Sequence, residues 1–150
     1  NSNGDGTGVS ASNTIGITQS GNYANANVNV LGTSNQLSIN TRGGSYNSVT
    51  ATQNGSNNNA TIDQSGGGNN TTTITQNSDN GLINLTTVGA SNTTTISQTG
   101  GSTNGHSSVV DITGSSNTVG VTQNATAGNT TVNVKSVGNT NTFTINSNAH

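Results

Sequence analysis

Apolar and polar residues alternate along most of the chain, in short runs that recur. With Asn13 at offset zero, Ile15 and Ile17 stand at +2 and +4, Gln19 at +6 and Gly21 at +8. The same frame fits Asn35, Leu37, Ile39, Thr41 and Gly43, and again Asn58, Ala60, Ile62, Gln64 and Gly66. Offset zero recurs at 13, 24, 35, 47, 58, 70, 81, 92, 108, 117, 130 and 141, mostly 11 or 12 residues apart. In this frame all nine Ile lie at +2 or +4, six of the seven Gln at +6, and eight of the twelve +8 positions are Gly. A period of two closed by Gly predicts a strand followed by a turn. Apolar residues do not recur at i+3 and i+4, and Asn, Thr and Gly are poor helix interiors, so helix is excluded. The expected fold is all-β: a β-solenoid of about six two-strand coils, cross-β in its stacking, with about 29 Å of stack at about 4.8 Å per layer. Residues 1–12 read as a flexible N-terminal segment and 13–150 as the repeat domain. The stretch Gly101 to Ser107 reads as an insertion, which loosens the register of the units near 101–138.

Even offsets point inward. Strands of odd-numbered units place Ile15 with Ile17, Leu37 with Ile39, Ala60 with Ile62, Ile83 with Leu85, Val110 with Ile112 and Val132 with Val134 in the core. Against them, even-numbered units place Ala26 with Val28, Val49 with Ala51, Thr72 with Ile74, Thr94 with Ile96, Val119 with Val121 and Phe143 with Ile145. Stacked amides satisfy one another up and down an axis. Gln19, Gln53, Gln64, Gln76, Gln98 and Gln123 at +6 are therefore candidate ladder residues. So are Asn13, Asn35, Asn47, Asn58, Asn70, Asn92, Asn117 and Asn141 at offset zero. Elsewhere +6 holds Val30, Thr41, Thr87, Gly114, Ser136 and Ser147. The outer face of the even sheet is rich in Thr: Thr50, Thr52, Thr71, Thr73, Thr75, Thr93, Thr95, Thr118, Thr122, Thr142 and Thr144. Thr suits any exposed strand, and a regular Thr array also suits bundling, adhesion or ice. The odd outer face carries Asp63, Asp111 and Lys135 instead.

Composition alters this picture mainly by exclusion. Hydrophobic residues make up 25% of the chain and charged ones 4%, with a formal charge of −2 and no Pro, Cys, Met or Trp. So little apolar surface is typical of disorder, yet disordered chains carry charge and Pro; low charge with β-branched residues favours stacked β-structure. Arg42 and Lys135 are the only basic residues besides His, too few to hold nucleic acid. No apolar run reaches the length of a membrane span. Without Cys there is no disulfide and no thiolate site. His106 reads as a loop residue and His150 as terminal; Gly4 to Gly6 and Ser78 to Gly81 hint at calcium loops without the carboxylates one needs. Four Asp and no Glu give acid–base catalysis little to draw on. No enzyme activity, cofactor or metal is expected.

The stretch ATIDQSGGGNN, Ala60 to Asn70, and the spaced match Gln53, Gly55, Asn58, Ala60 and Gln64 resemble the repeats of the curlin family. ITQSG (Ile17 to Gly21), ITQNS and ISQTG repeat the same strand ending. The resemblance covers roughly residues 12 to 147. It implies a two-strand-per-coil solenoid, secretion as an unfolded chain, and assembly into amyloid fibres of a biofilm matrix at the cell surface. Soluble solenoids protect their end strands with caps. None is visible here, so the expected partner is a second copy, head to tail, with a nucleator subunit and secretion channel implied by the resemblance. The alternatives are a monomeric ice-binding solenoid using the Thr face, or a repeat segment of a phage fibre or adhesin.

Overall fold

The alternation closes into strands because each run is ended by the same turn. A Gly at +8 takes a positive φ, and the residue just before the next offset zero sits in the left-handed region: Gly55 then Asn57 (φ 58°), Gly89 then Ser91 (φ 57°), Gly114 then Ser116 (φ 58°). At Gly114 (φ 124°) an added Cβ would fall 1.9 Å from the Gly138 carbonyl oxygen of the next coil, so both conformation and space demand glycine. The structure, a computed structural model, describes residues 2–3, 12–100, 105–126 and 128–149.

These turns link twelve long strands, and a two-residue strand, β1 (Ser2–Asn3), precedes them in the chain. The odd-unit strands are β2 (Thr14–Asn22), β4 (Gln36–Ser45), β6 (Asn59–Ser65), β8 (Leu82–Val88), β10 (Ser107–Thr113) and β12 (Thr131–Val137). The even-unit strands are β3 (Asn25–Thr33), β5 (Ser48–Ser56), β7 (Thr71–Asn77), β9 (Thr93–Thr99), β11 (Thr118–Ala125) and β13 (Thr142–Ala149). One sheet runs β1-β3-β5-β7-β9-β11-β13 and the other β12-β10-β8-β6-β4-β2, every pairing parallel. Two facing parallel sheets, visited alternately, make a β-solenoid of about six turns.

Parallel stacking places like on like. Val49 sits on Thr72, Thr72 on Thr94, Thr94 on Val119 and Val119 on Phe143. In the next inward row Ala51 sits on Ile74, Ile74 on Ile96, Ile96 on Val121 and Val121 on Ile145. Val121 is buried, as its inward +4 position requires. The core is one thin seam of buried Ile, Val, Leu and Ala from both sheets, including Ile39, Ile62, Ile74, Ile83, Ile96 and Ile112. Ile15, Ala26, Phe143 and Ile145 pack against it but are only partly buried, because they belong to the first and last coils. Ile17 is corrected more strongly. It lies in the inward row, on Ile39, but is 38% exposed, since among the described residues no further coil covers it.

The other correction concerns unit nine. Ser108, not Val110, lies beside Ile83 and Val132, and Val110 lies beside Leu85 and Val134. Offset zero of that unit is therefore His106, two residues earlier than the sequence frame puts it. Ile112 occupies +6 and Gly114 becomes a turn glycine at +8. A two-residue shift keeps the same side chains inward, so Val110 and Ile112 remain core residues.

Of the N-terminal segment, Ser2 and Asn3 pair with Val28 and Asn29 of β3. The expected flexibility of residues 1–12 falls for the rest almost wholly outside the described residues.

Candidate functional site

The residues with a special role in this fold are the buried amides and the strand edges of the end coils. The even sheet holds two amide ladders. At offset zero, Asn70 Nδ2 donates to Asn47 Oδ1 (3.1 Å), Asn92 Nδ2 to Asn70 Oδ1 (3.2 Å), Asn117 Nδ2 to Asn92 Oδ1 (3.0 Å) and Asn141 Nδ2 to Asn117 Oδ1 (3.0 Å). Each of these Oδ1 atoms also accepts the backbone N–H of the Asn in the following coil. Three of the amides then donate to a turn carbonyl: Asn70 to Gly89, Asn92 to Gly114 and Asn117 to Gly138. An Asn at this position thus ties three coils together: one behind through Oδ1 of the preceding Asn, its own, and one ahead.

At +6 the direction reverses. Gln53 Nε2 donates forward to Gln76 Oε1 (2.7 Å), Gln76 to Gln98 (3.1 Å) and Gln98 to Gln123 (2.9 Å). Each Nε2 also donates across the core to a carbonyl of the facing sheet, those of Gln36, Asn59, Leu82 and Ser107. The four Gln are fully buried; every Nε2 is paired, and so is every Oε1 but that of Gln53, which begins the row.

The odd sheet is different. Asn13, Asn35 and Asn58 accept the next coil's backbone N–H, from Asn35, Asn58 and Gly81 (2.9, 3.0 and 2.8 Å). Beyond Gly81 the row continues as His106 and Thr130. Among the described residues there is no axial Gln ladder on this sheet. Gln64 lies between Thr41 and Thr87, whose side chains are too short to reach along the axis, and it donates across the core to Thr72 Oγ1 (2.7 Å) instead. Gln19 is exposed in the first coil, which removes it from any buried ladder.

His106 is a ladder-row residue that sequence reasoning missed. It is buried, its Nδ1 hydrogen-bonds with Thr130 Oγ1 (2.8 Å), and its Nε2 has no partner. Two signals point to it: the 22- to 25-residue spacing along one sheet, and Gly114 at +8. Burial lowers the imidazole pKa from its ordinary value near 6.5, partly offset by the nearby backbone of Thr99. The native state therefore holds the neutral ring. Below about pH 6.5 the unfolded chain takes up a proton that the folded chain resists, so stability falls with falling pH and is restored above that range. A His106→Asn variant is expected to lose less thermal stability between pH 7.5 and pH 5 than the parent chain. Equal losses in parallel melts would remove His106 as the cause.

The outer faces separate by charge. Thr71, Thr93, Thr118 and Thr142 line up in one row of the even sheet. Thr50, Thr73 and Thr95 line up in the next, which continues through Gly120 to Thr144. Thr52 and Thr75 begin a third, which runs through Ser97 to Thr122. No charged residue lies among these rows. Arg42, Asp63, Asp111 and Lys135 all project from the odd sheet, with Arg42 and Asp63 forming a surface ion pair. Such a pair contributes little to stability.

Among the described residues no three His or Asp side chains converge as metal ligands. In the Ser78 to Gly81 turn, Asp79 Oδ1 accepts the Ser56 N–H (2.7 Å), which gives that carboxylate a structural task. His150 and Gly4 to Gly6 lie outside the described residues.

Residues 44–77, which run from the end of β4 through β7, match the family model for the curlin associated repeat. No curated protein and no solved structure matches the chain. The matched residues contain Asn47, Gln53, Asn58, Gln64, Asn70 and Gln76, all of them buried amides of the core.

Proposed function

We propose that this curlin-like repeat protein is a structural subunit of an extracellular, curli-like amyloid fibre, growing head to tail by strand-edge templating. The curlin repeat belongs to structural, cell-surface proteins. The observation that carries the reading is at the ends of the stack. β2 ends one sheet, and among the described residues no strand pairs with its outer edge; β12 and β13 end the sheets at the other pole. Both poles present in-register apolar pairs, Ile15 and Ile17 at one and Phe143 and Ile145 at the other, that are only partly covered. Open edges over apolar rows are templates for another chain. Contact between unlike poles does not close on itself and gives a filament. β1 covers only Val28 and Asn29 of β3, so an incoming copy displaces two residues of pairing and gains a full strand.

The roles in biofilm matrix, adhesion and aggregation belong to this proposal, as do a nucleator subunit and a secretion channel as further partners. The test is electron microscopy and fibre diffraction of the purified chain after incubation at neutral pH. Unbranched filaments with an axial reflection near 4.7–4.8 Å are expected. A folded chain that stays monomeric at rising concentration overturns the proposal.

One observation favours a second reading. The Thr rows form a charge-free array that repeats along the strands and across the coils, as a monomeric ice-binding face would require. Ice shaping by unassembled chain, lost on replacing Thr73 and Thr95 with Lys, would establish it.

A further inference from the structure

The chain has two Tyr and no Trp, and both Tyr stand at one corner of the stack. Tyr23 and Tyr46 occupy equivalent turns of the first and second coils. Their rings stack, with centroids 4.9 Å apart and planes 7° from parallel, and they are 75% and 59% exposed. The same corner row continues as Asn69, Ser91, Ser116 and Thr140, and all six residues have φ between 57° and 62°. In that left-handed conformation Asn is well tolerated, whereas bulky Tyr and β-branched Thr are outliers. The small and tolerant residues fill the middle of the row. The poorly suited ones stand at its two ends.

Those two ends meet only where one copy stacks on another. One face of Tyr23 rests on Tyr46, and the other points out of the first coil, along the axis. Thr140 ends the row in the last coil. We propose that Thr140 of a second copy packs its methyl group on the free face of Tyr23, making the tyrosine stack a clamp on the subunit junction. This rests on the head-to-tail reading above and adds its register and its contact.

Three features at the same poles fit that register. Among the described residues Asn141 is last in its ladder, and none of a following coil offers its Oδ1 an N–H. The backbone N–H of Ala24 in the next copy brings one, as that of Asn141 does for Asn117 Oδ1 at 3.0 Å. Phe143, the largest residue of its inward row, comes to lie on Ala26, the smallest. Val132 and Val134 come to lie on Ile15 and Ile17, which extends the core without a break. The occupant is thus a second copy of this chain, with its last coil on the first coil of its neighbour.

The test separates this contact from assembly itself. Asn suits the left-handed turn, so Tyr23→Asn should leave the unassembled chain at least as heat-stable as the parent. Its elongation from parent seeds should nevertheless slow about three- to tenfold. Tyr23→Phe keeps the ring face and should elongate at the parent rate. Because all tyrosine emission comes from this corner, acrylamide quenching should also fall when the parent chain assembles. Unchanged elongation of Tyr23→Asn, or quenching equal in filament and free chain, overturns the clamp while leaving the fibre intact. Failure of the parent chain to form filaments overturns the fibre reading instead.

Discussion

Asn92→Ala is expected to cost about 3–5 kcal/mol of folding stability, more than the loss of any single surface contact. Asn92 is buried, and its amide holds Asn70 Oδ1 (3.2 Å) and the Gly114 carbonyl (2.8 Å) while its Oδ1 accepts from the N–H and Nδ2 of Asn117 (3.0 Å each). Alanine leaves the Gly114 oxygen and the Asn117 N–H without partners in a seam closed to water. Each unpaired buried group costs about 1–3 kcal/mol, and small cavities add to that. A domain of this size has only about 5–15 kcal/mol to lose. Denaturant titration should show the midpoint falling sharply, with coils four and five opening first by hydrogen exchange. Asn29→Ala, on the exposed face of β3, should stay within about 0.5 kcal/mol of the parent. A loss below about 1 kcal/mol for Asn92→Ala would mean that the ladder is ornament rather than structure.

The second large effect falls on assembly and spares the fold. Ile17→Lys should leave a folded chain that does not elongate. Ile17 is 38% exposed at the open pole, so in the free chain a lysine stem can lie along the edge with its ammonium in water. In the proposed filament the same position would be covered by the last coil of a neighbour, burying an unpaired charge there. A penalty of about 4 kcal/mol lowers the elongation constant about a thousandfold. Circular dichroism and melting should match the parent, and seeded growth should be undetectable at concentrations where the parent grows. Parent-like growth would show that Ile17 does not enter a junction. Ile62→Lys provides the contrast: Ile62 is fully buried in the middle of the stack, and that substitution should unfold the chain outright.

Most of this fold was legible because a parallel solenoid writes its geometry into the sequence twice. Period two gives the inward face, and the recurrence of Asn, Gln and Gly gives the stacking. The exception, unit nine, shows where the code is ambiguous. Val110 and Ile112 match +2 and +4 by hydrophobicity, which draws the frame two residues late. The true +2 residue is Ser108, which a pattern of apolar positions rejects. It is acceptable in the core because its hydroxyl donates to Gln123 Oε1. Gly114 holds the competing signal, since only the earlier register makes it a turn glycine. Burial at the poles was not legible at all. Gln19 and Ile17 have the same local pattern as their buried counterparts Gln64 and Ile62. They differ only in having no coil on one side, and exposure of that kind depends on neighbours rather than on the residue. The ladders themselves were legible as residue types but not as directions. Which amide donates to which is settled by turn carbonyls and the facing sheet, and neither appears in a one-dimensional pattern.

Neither amide ladder of the even sheet spans the whole stack. The Gln row begins with Val30 in the first coil and ends with Ser147 in the last. The Asn row ends on Asn141, but its first-coil position is Ala24, which has no amide to offer. Across a junction one row therefore keeps a single backbone contact and the other is interrupted. In the proposed filament, tension would part the junctions between subunits before any coil within a subunit is pulled open, and each break would release intact pieces whose fresh ends could grow again.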